Sequence, residues 1–338
     1  MDSNRFQVLA LSGGGYRGLY TAKVLELLEQ KLGGPIARHF DLICGTSIGG
    51  IIALALALEI PASKIVEIFI REGEDIFGGR PRQRRLRKGR WWDSIWPVGM
   101  NRAIHTPDHL RRVLEQQEFF GHRLLGECGH PVIVPSVNFT TAVPQLFKTP
   151  HHPSFERDHL LPLIEIALAT SAAPVFFPQH RFNNKVYVDG GLVANGPALF
   201  GVHEAEHFLK QSIEDVHVLA IGTLQIDSTA SAADRLDRGI RAWGNDLFTL
   251  TIAAQERAMN QIVAHRLGGR FMPINDTLTQ NQVKDVSLDL ADEQARQTLL
   301  GRADNSYQLS LKEGIATRFL THNAPTPRFF HGPRASTA

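Results

Sequence analysis

The stretch Asp41 to Gly50, DLICGTSIGG, with the apolar run Ile51 to Leu58 behind it, constrains the fold more than any other part of the chain. A short hydrophobic segment enters Gly45-Thr46-Ser47-Ile48-Gly49 and leaves as a segment apolar on nearly every face (Ile51, Ile52, Leu54, Leu56, Leu58, with alanines between). Strand, sharp turn and buried helix, in that order, are what a G-x-S-x-G nucleophile elbow requires. Ser47 is the candidate nucleophile. Gly45 and Gly49 flank it where a Cβ would crowd the entering strand or the reacting carbonyl. The helix N-terminus, with free N–H groups and the positive end of its dipole, is expected to point at the serine hydroxyl. Taken alone, the pentapeptide also fits an ordinary turn of small residues, so its context decides.

The first part of that context lies upstream. Phe6 to Leu11 reads as a buried strand, followed by Ser12-Gly13-Gly14-Gly15-Tyr16-Arg17-Gly18 and an amphipathic helix carrying Leu25, Leu28 and Leu32. Backbone N–H groups gathered in such a turn suit an anion. Gly13, Gly15 and Gly18 also spell G-x-G-x-x-G, a dinucleotide-binding start, but that needs an acidic residue closing the second strand. Here Asp41 opens its strand, which ends in Gly-Thr-Ser, and no Lys-Ser/Thr pair follows Gly18 to make a Walker A loop. The better account is an oxyanion hole, because acyl transfer needs donors aimed at the charge that develops beside the serine. Arg17 either holds this loop, assists the negative charge or stands solvated at the helix start.

Further along, Thr106-Pro107 caps a helix through Leu114, Pro131 to Asn138 and Gln145 to Lys148 read as strands, and Pro162 to Thr170 as helix. Lys185 to Val188 is a strand delivering Asp189-Gly190-Gly191. A carboxylate at a strand end can accept the Ser47 proton if burial and neighbours raise its basicity, while Asp-Gly by itself is also a common turn. The three segments Gly13 to Gly18, Gly45 to Gly49 and Asp189-Gly190-Gly191, in this order, resemble the three signatures of the patatin-like phospholipases. The resemblance covers roughly Phe6 to Thr223 and includes Ala169 to Pro178, Asn195-Gly196-Pro197 and the strand Val216 to Ile221.

The resemblance implies an α/β fold: a patatin-like three-layer α/β/α sandwich with a mostly parallel central sheet. It makes Ser47 and Asp189 a Ser/Asp dyad, with Gly13, Gly14, Gly15 and Arg17 forming the oxyanion loop, and it implies acyl esters of membrane glycerophospholipids as substrate. No metal and no catalytic cofactor are implied. An α/β-hydrolase triad stays open as an alternative, since His203, His217 and His265 all follow the serine. In length and in its helical C-terminal extension the chain is also similar to the bacterial patatin-like effectors of cyclic-oligonucleotide antiphage (CBASS) systems. That similarity implies activation by a cyclic dinucleotide such as cyclic GMP-AMP, degradation of the inner membrane, and self-association as a plausible switch. A noncatalytic scaffold or phosphate-ligand binder that kept the fold is the competing function class.

Charge and composition bound the rest. Lys and Arg number 36 against 34 Asp and Glu, a net charge of +2, which argues against a nucleic-acid polymer as partner. The basic residues are uneven: seven lie between Arg80 and Arg90 with no acid among them. Arg84, Arg85 and Arg87, followed by Trp91 and Trp92, suit an interfacial membrane contact or a phosphate-bearing ligand equally with a solvated loop. The two cysteines, Cys44 and Cys128, suggest neither zinc nor a disulfide framework, and a reducing compartment fits. The N-terminus has no signal-peptide pattern, and no run approaches the ~20 apolar residues of a spanning helix. The expected location is therefore cytoplasmic, peripheral to the inner membrane when active. The catalytic unit is expected over 6–223, with segment 78–106 as a loop or cap. Residues 224–338 are read as an extension packed on the same core, with helices over Arg238 to Leu267 and Asp304 to Leu320 and an irregular tail from Asn323.

Overall fold

The computed structural model describes residues 4–78, 103–226, 237, 240–278 and 286–336. The candidates Arg84, Arg85, Arg87, Trp91 and Trp92 lie outside the described residues. β1 (Phe6–Leu11) runs through the glycine turn into α1 (Gly18–Leu32), and β2 (Leu42–Gly45) runs through Thr46-Ser47 into α2 (Ile48–Ala57). α3 (Ala62–Phe77) and α4 (Asp108–Leu114) follow, then β3 (Val132–Asn138), β4 (Val143–Lys148) and α5 (Leu163–Thr170). β5 (His180–Phe182) and β6 (Lys185–Asp189) lead into the single turn α6 (Gly191–Ala194) and α7 (Ala198–His207). β7 (Val216–Ile221) and β8 (Gln225–Ile226) precede the long α8 (Ile240–Leu267). β9 (Phe271–Ile274), β10 (Thr277–Leu278), α9 (Glu293–Lys312) and α10 (Ile315–Phe319) complete the chain.

The main sheet has the order β5-β6-β3-β2-β1-β7-β9, with β4 also on β3. From β3 to β9 the pairing is parallel, whereas β4 and β6 run antiparallel to β3. Side chains along β1 alternate between two cores. Leu9 and Leu11 join the cluster under α1, α2 and α3, and Val8 and Ala10 join the one under α7 and α8 with Val202 and Val263. A strand buried on both faces must carry apolar residues at every position, and burying each such side chain stabilises the fold by roughly 1.5–3 kcal/mol. Phe6 to Leu11 meets that condition at every position but Gln7, whose buried amide donates to His39 O and Phe319 O, and the three-layer sandwich follows from it.

The C-terminal region departs from the expected limits in two places. It supplies β9, which extends the catalytic sheet by parallel pairing with β7 (Leu219 opposite Met272). Pro273 is tolerated there because β9 is an edge strand and its missing N–H leaves no ladder bond unmade. The helix expected over Asp304 to Leu320 instead starts after Asp292, whose carboxylate caps it by accepting the Ala295 N–H at 2.8 Å. It ends at Lys312, and Gly314, in the left-handed region at φ 82°, separates α10. Its inward positions are mostly small (Ala295, Ala303, Ser306, Ser310, with Leu299), so the apolar periodicity that reveals a helix is faint. Residues 323–336 contain no helix or strand but are tied down: the Ala324 N–H donates to Arg38 O (2.9 Å) and the Phe330 N–H to Pro150 O (2.8 Å). No helix among the described residues is long and apolar enough to cross a membrane.

Candidate active site

Ser47 sits between β2 and α2 at φ 55°, ψ −123°, a region that costs a non-glycine residue of order 1–3 kcal/mol and persists only where the surroundings over-determine it. The surroundings do so. A Cβ on Gly45 would collide with the Gly49 carbonyl, and one on Gly49 with the Leu11 carbonyl, so strand, turn and helix are pressed together around the serine. The Ser47 N–H donates to Thr170 Oγ1 (2.9 Å), and Thr170 in turn donates to Pro135 O (2.6 Å), locking the turn to α5 and β3.

The Ser47 hydroxyl donates to Asp189 Oδ2 at 2.7 Å, so β2 and β6, 142 residues apart in sequence, deliver their end residues to one point. The Asp189 carboxylate is buried, 3% exposed, and its other oxygen accepts the Gly191 N–H at 2.6 Å. Its own N–H donates to Ala172 O and that of Gly190 to Thr170 O, which fixes the backbone of the Asp-Gly-Gly turn against the end of α5. Gly190 is required because a Cβ there would meet the Pro135 carbonyl. Burial pushes the Asp189 pKa from 3.8 up to about 6, against the smaller lowering effects of the Gly191 and Ser47 hydrogen bonds. A base with that pKa is ionised at neutral pH yet far more proton-hungry than an exposed aspartate.

The glycine loop lies beside the serine: a Cβ on Gly13 would stand 3.1 Å from the Ser47 Cβ. Of the three expected donors, Gly13 must be set aside, because its N–H is already given to Asn195 O (3.0 Å). Gly14 and Gly15 have no acceptor for their N–H groups among the described residues. Gly15 adopts φ 58°, and a Cβ on it would run into the Leu288 carbonyl, the same oxygen that accepts the Tyr16 N–H at 2.8 Å. Arg17 acts as a loop holder: Nε donates to Gly14 O (3.4 Å) and Nη1 to Leu224 O (3.2 Å). Burial pulls its pKa down to about 10, which leaves it charged at neutral pH.

Several participants carry no signal that sequence reasoning used. Asn195, quoted above only for its place after the aspartate, donates through Nδ2 to Gly13 O (3.3 Å) and to Glu256 Oε2 (2.6 Å). Glu256 also accepts from the Ser12 hydroxyl at 2.7 Å, so one carboxylate of α8 braces the glycine loop and the Asn195 turn together. Its neighbour Gln255 accepts the Asn195 N–H at 3.0 Å and donates to Val193 O. Both are polar residues inside a helix with no motif around them. Next to Leu288, Asp289 accepts from His105 Nε2 (3.3 Å), and the Ala291 N–H reaches Gly78 O (3.1 Å). Gly78, just before segment 79–102, and His105, shortly after it, are thus tied beside the glycine loop.

The histidines offered as triad members lie elsewhere in the fold. His203 stacks on His207, His217 lies near the start of β7 against Phe319, and His265 is exposed in the last turn of α8. Glu72, Asp75 and His109 bring ligand-type atoms within 4.8 Å of one another at the surface, but His109 Nε2 is already hydrogen-bonded to Glu72 at 2.8 Å.

Comparison with known proteins agrees with this geometry. The family model described as patatin-like phospholipase matches residues 9–201, which includes both Ser47 and Asp189. A protein named cGAMP-activated phospholipase from Pseudomonas aeruginosa is 46% identical over 330 residues, 97% of this chain and 96% of its own length. Proteins of the same name from Vibrio cholerae (31% over 98% of this chain and 96% of theirs) and Escherichia coli (30% over 97% and 96%) are also similar. With more than half its length matched by the model and nearly all of it by these relatives, the chain belongs to the patatin-like phospholipase family of ester hydrolases.

Proposed function

We propose that the chain is a serine phospholipase that cleaves acyl esters of membrane glycerophospholipids with a Ser47/Asp189 dyad. Activation by a cyclic dinucleotide such as cyclic GMP-AMP would make it an antiphage effector that degrades the inner membrane. The observation that carries the catalytic part is the 2.7 Å hydrogen bond from the Ser47 hydroxyl, on its strained turn, to a buried carboxylate of raised pKa. In the forward step the Ser47 oxygen attacks the ester carbonyl carbon while Asp189 takes its proton. The Gly14 and Gly15 N–H groups hold the tetrahedral oxyanion. Collapse breaks the bond to the glycerol oxygen, which leaves with the proton from Asp189 and generates an acyl-serine. Water then attacks the acyl carbon as Asp189 accepts one of its protons, and fatty acid departs as that proton returns to Ser47. The Gly191 N–H and the Asp189 backbone bonds orient the base, as a third residue does in a triad.

The activator is supported by the names of relatives that this chain matches end to end. A noncatalytic scaffold would have no use for a strained serine held against a buried base. The test is fatty-acid release from phospholipid vesicles, with and without cyclic GMP-AMP, using Ser47→Ala as control. Release that requires the nucleotide and the serine supports the whole reading. Release without nucleotide removes the activator, and release by Ser47→Ala removes the dyad.

A further inference from the structure

A cavity of about 1120 Å³ opens at the end of the sheet opposite the dyad. Its floor is made by residues at the feet of the parallel strands: Phe6 begins β1, while Asp41, Pro131 and Asp215 immediately precede β2, β3 and β7. One wall is the irregular C-terminal stretch, which contributes residues from Thr321 to Phe330. That stretch is held there by the Ala324 and Phe330 backbone bonds and by His331 Nε2, which donates to Pro153 O at 2.7 Å. Nothing in the catalytic cycle uses this place.

Its chemistry is that of a site for a bulky anion with flat rings. Three cationic side chains line it, Arg5, Lys210 and Arg328, against two carboxylates. One of those carboxylates is already engaged from within, since Asp41 Oδ2 accepts from the Gln7 N–H (2.7 Å) and from His322 Nε2 (2.9 Å). Phe208 and Phe330 supply aromatic faces, and the Arg328 guanidinium stands 4.7 Å over the Phe330 ring, a cation beside a stacking surface. Pockets for drug-sized ligands run to roughly 1,000 Å³, so this one has room for two linked nucleotides.

We propose that this cavity is the binding site for the activating cyclic dinucleotide, with its two phosphates on Arg5, Lys210 and Arg328 and its bases against Phe208 and Phe330. The proposal rests on the activator reading given above and adds the place and the means of coupling. β1 and β2 start in the cavity and end at the glycine loop and Ser47. Their feet are bonded to the C-terminal segment: Asp41 accepts from His322 in the wall (2.9 Å), and Gln7 Nε2 donates to Phe319 O (3.0 Å) and Arg5 to Arg318 O in α10 just before it. A ligand that draws the wall onto the strand feet acts on the two elements that carry the nucleophile and the oxyanion donors. It shifts the enzyme toward whichever arrangement binds it better.

The test is titration calorimetry of cyclic GMP-AMP into Ser47→Ala protein, alone and carrying Arg328→Glu, Lys210→Glu or Phe330→Ala. Lys312→Glu, an exposed charge change at the end of α9, is the control, and thermal unfolding checks that each variant is folded. Loss of one charge-assisted contact is expected to weaken binding about tenfold or more. Weakening in the cavity variants with parent-like binding by the control supports the site. Binding by the parent that the cavity variants retain within about twofold overturns the site but leaves the activator reading standing. The same holds if Arg84→Glu abolishes binding where they do not. No binding of any cyclic dinucleotide by a parent whose serine-intact form hydrolyses vesicles overturns both.

Discussion

Replacing Asp189 by Asn should inactivate the enzyme and at the same time stabilise it. The buried carboxylate has its pKa raised from 3.8 to about 6, so the folded protein holds this proton more tightly than the unfolded chain does. A group shifted in that direction contributes stability that is fully present below the unfolded value and is lost as pH rises through the folded one. Each pKa unit corresponds to about 1.4 kcal/mol, so at pH 7.5 the ionised carboxylate costs the fold on the order of 3 kcal/mol, and at pH 5 about half of that. Asparagine keeps an oxygen for the Gly191 N–H and a polar group facing Ser47 without carrying charge, so it removes the cost. With an unfolding entropy of about 2 cal/mol/K per residue, the gain is a rise in Tm of about 4 °C at pH 7.5. Thermal unfolding of wild type and Asp189→Asn between pH 4.5 and 8 checks this. A variant less stable than wild type at pH 7.5, or a difference that grows as pH falls, would refute the assignment of Asp189 as a desolvated base.

The same pKa sets the pH profile. Turnover should rise about tenfold per pH unit below pH 6 and level off above it, because only the ionised carboxylate accepts the serine proton. A flat profile down to pH 4.5 in a vesicle assay contradicts it. Thr170→Val removes the acceptor of the Ser47 N–H and leaves a strained, buried donor unsatisfied. It should cost about 1–3 kcal/mol of stability and a larger share of kcat than of KM, measured by unfolding and initial rates. Away from the site, Glu204 is fully buried and takes Lys148 Nζ at 2.6 Å and His151 Nε2 at 3.0 Å. These partners hold its carboxyl below the usual range despite burial. Glu204→Ala strands two polar groups inside the protein and should cost roughly 3–5 kcal/mol, whereas Glu204→Gln should cost less. Equal denaturation midpoints for the two variants would show that the hydrogen bonds a neutral glutamine can keep contribute nothing there.

The elements legible in the sequence are those whose cause is local. Phe6–Leu11 and Val216–Ile221 are apolar at nearly every position because both faces of a central parallel strand are covered, and that pattern has no competing local reading. The amphipathic Ala62–Phe77 and the glycines around Ser47 are likewise their own evidence: a period of 3.6, and positions where a Cβ has nowhere to go. The serine and the aspartate could be named from three short motifs because each marks the end of a strand. The residues that could not be named act from a distance. Glu256 and Gln255 are ordinary polar positions until α8 is folded over the Asn195 turn, and Leu288 matters only because its carbonyl meets Gly15 and Tyr16.

By itself, then, the sequence determined the chain's layered architecture and singled out Ser47 and Asp189 as the proposed nucleophile and base, since these depend on periodicity and on backbone geometry within a few residues. What only the tertiary structure decided is how the base is tuned and which loop donors remain available. The Asp189 pKa comes from burial by segments remote in sequence, and Gly13 is disqualified by a carbonyl 182 residues away. The same holds for the tail after Asn323, which by composition is only irregular, yet in the fold closes a cavity at the feet of the catalytic strands. Contacts between distant segments leave no period in a sequence, because each partner satisfies its own local rules and the cost or gain exists only once the two are brought together.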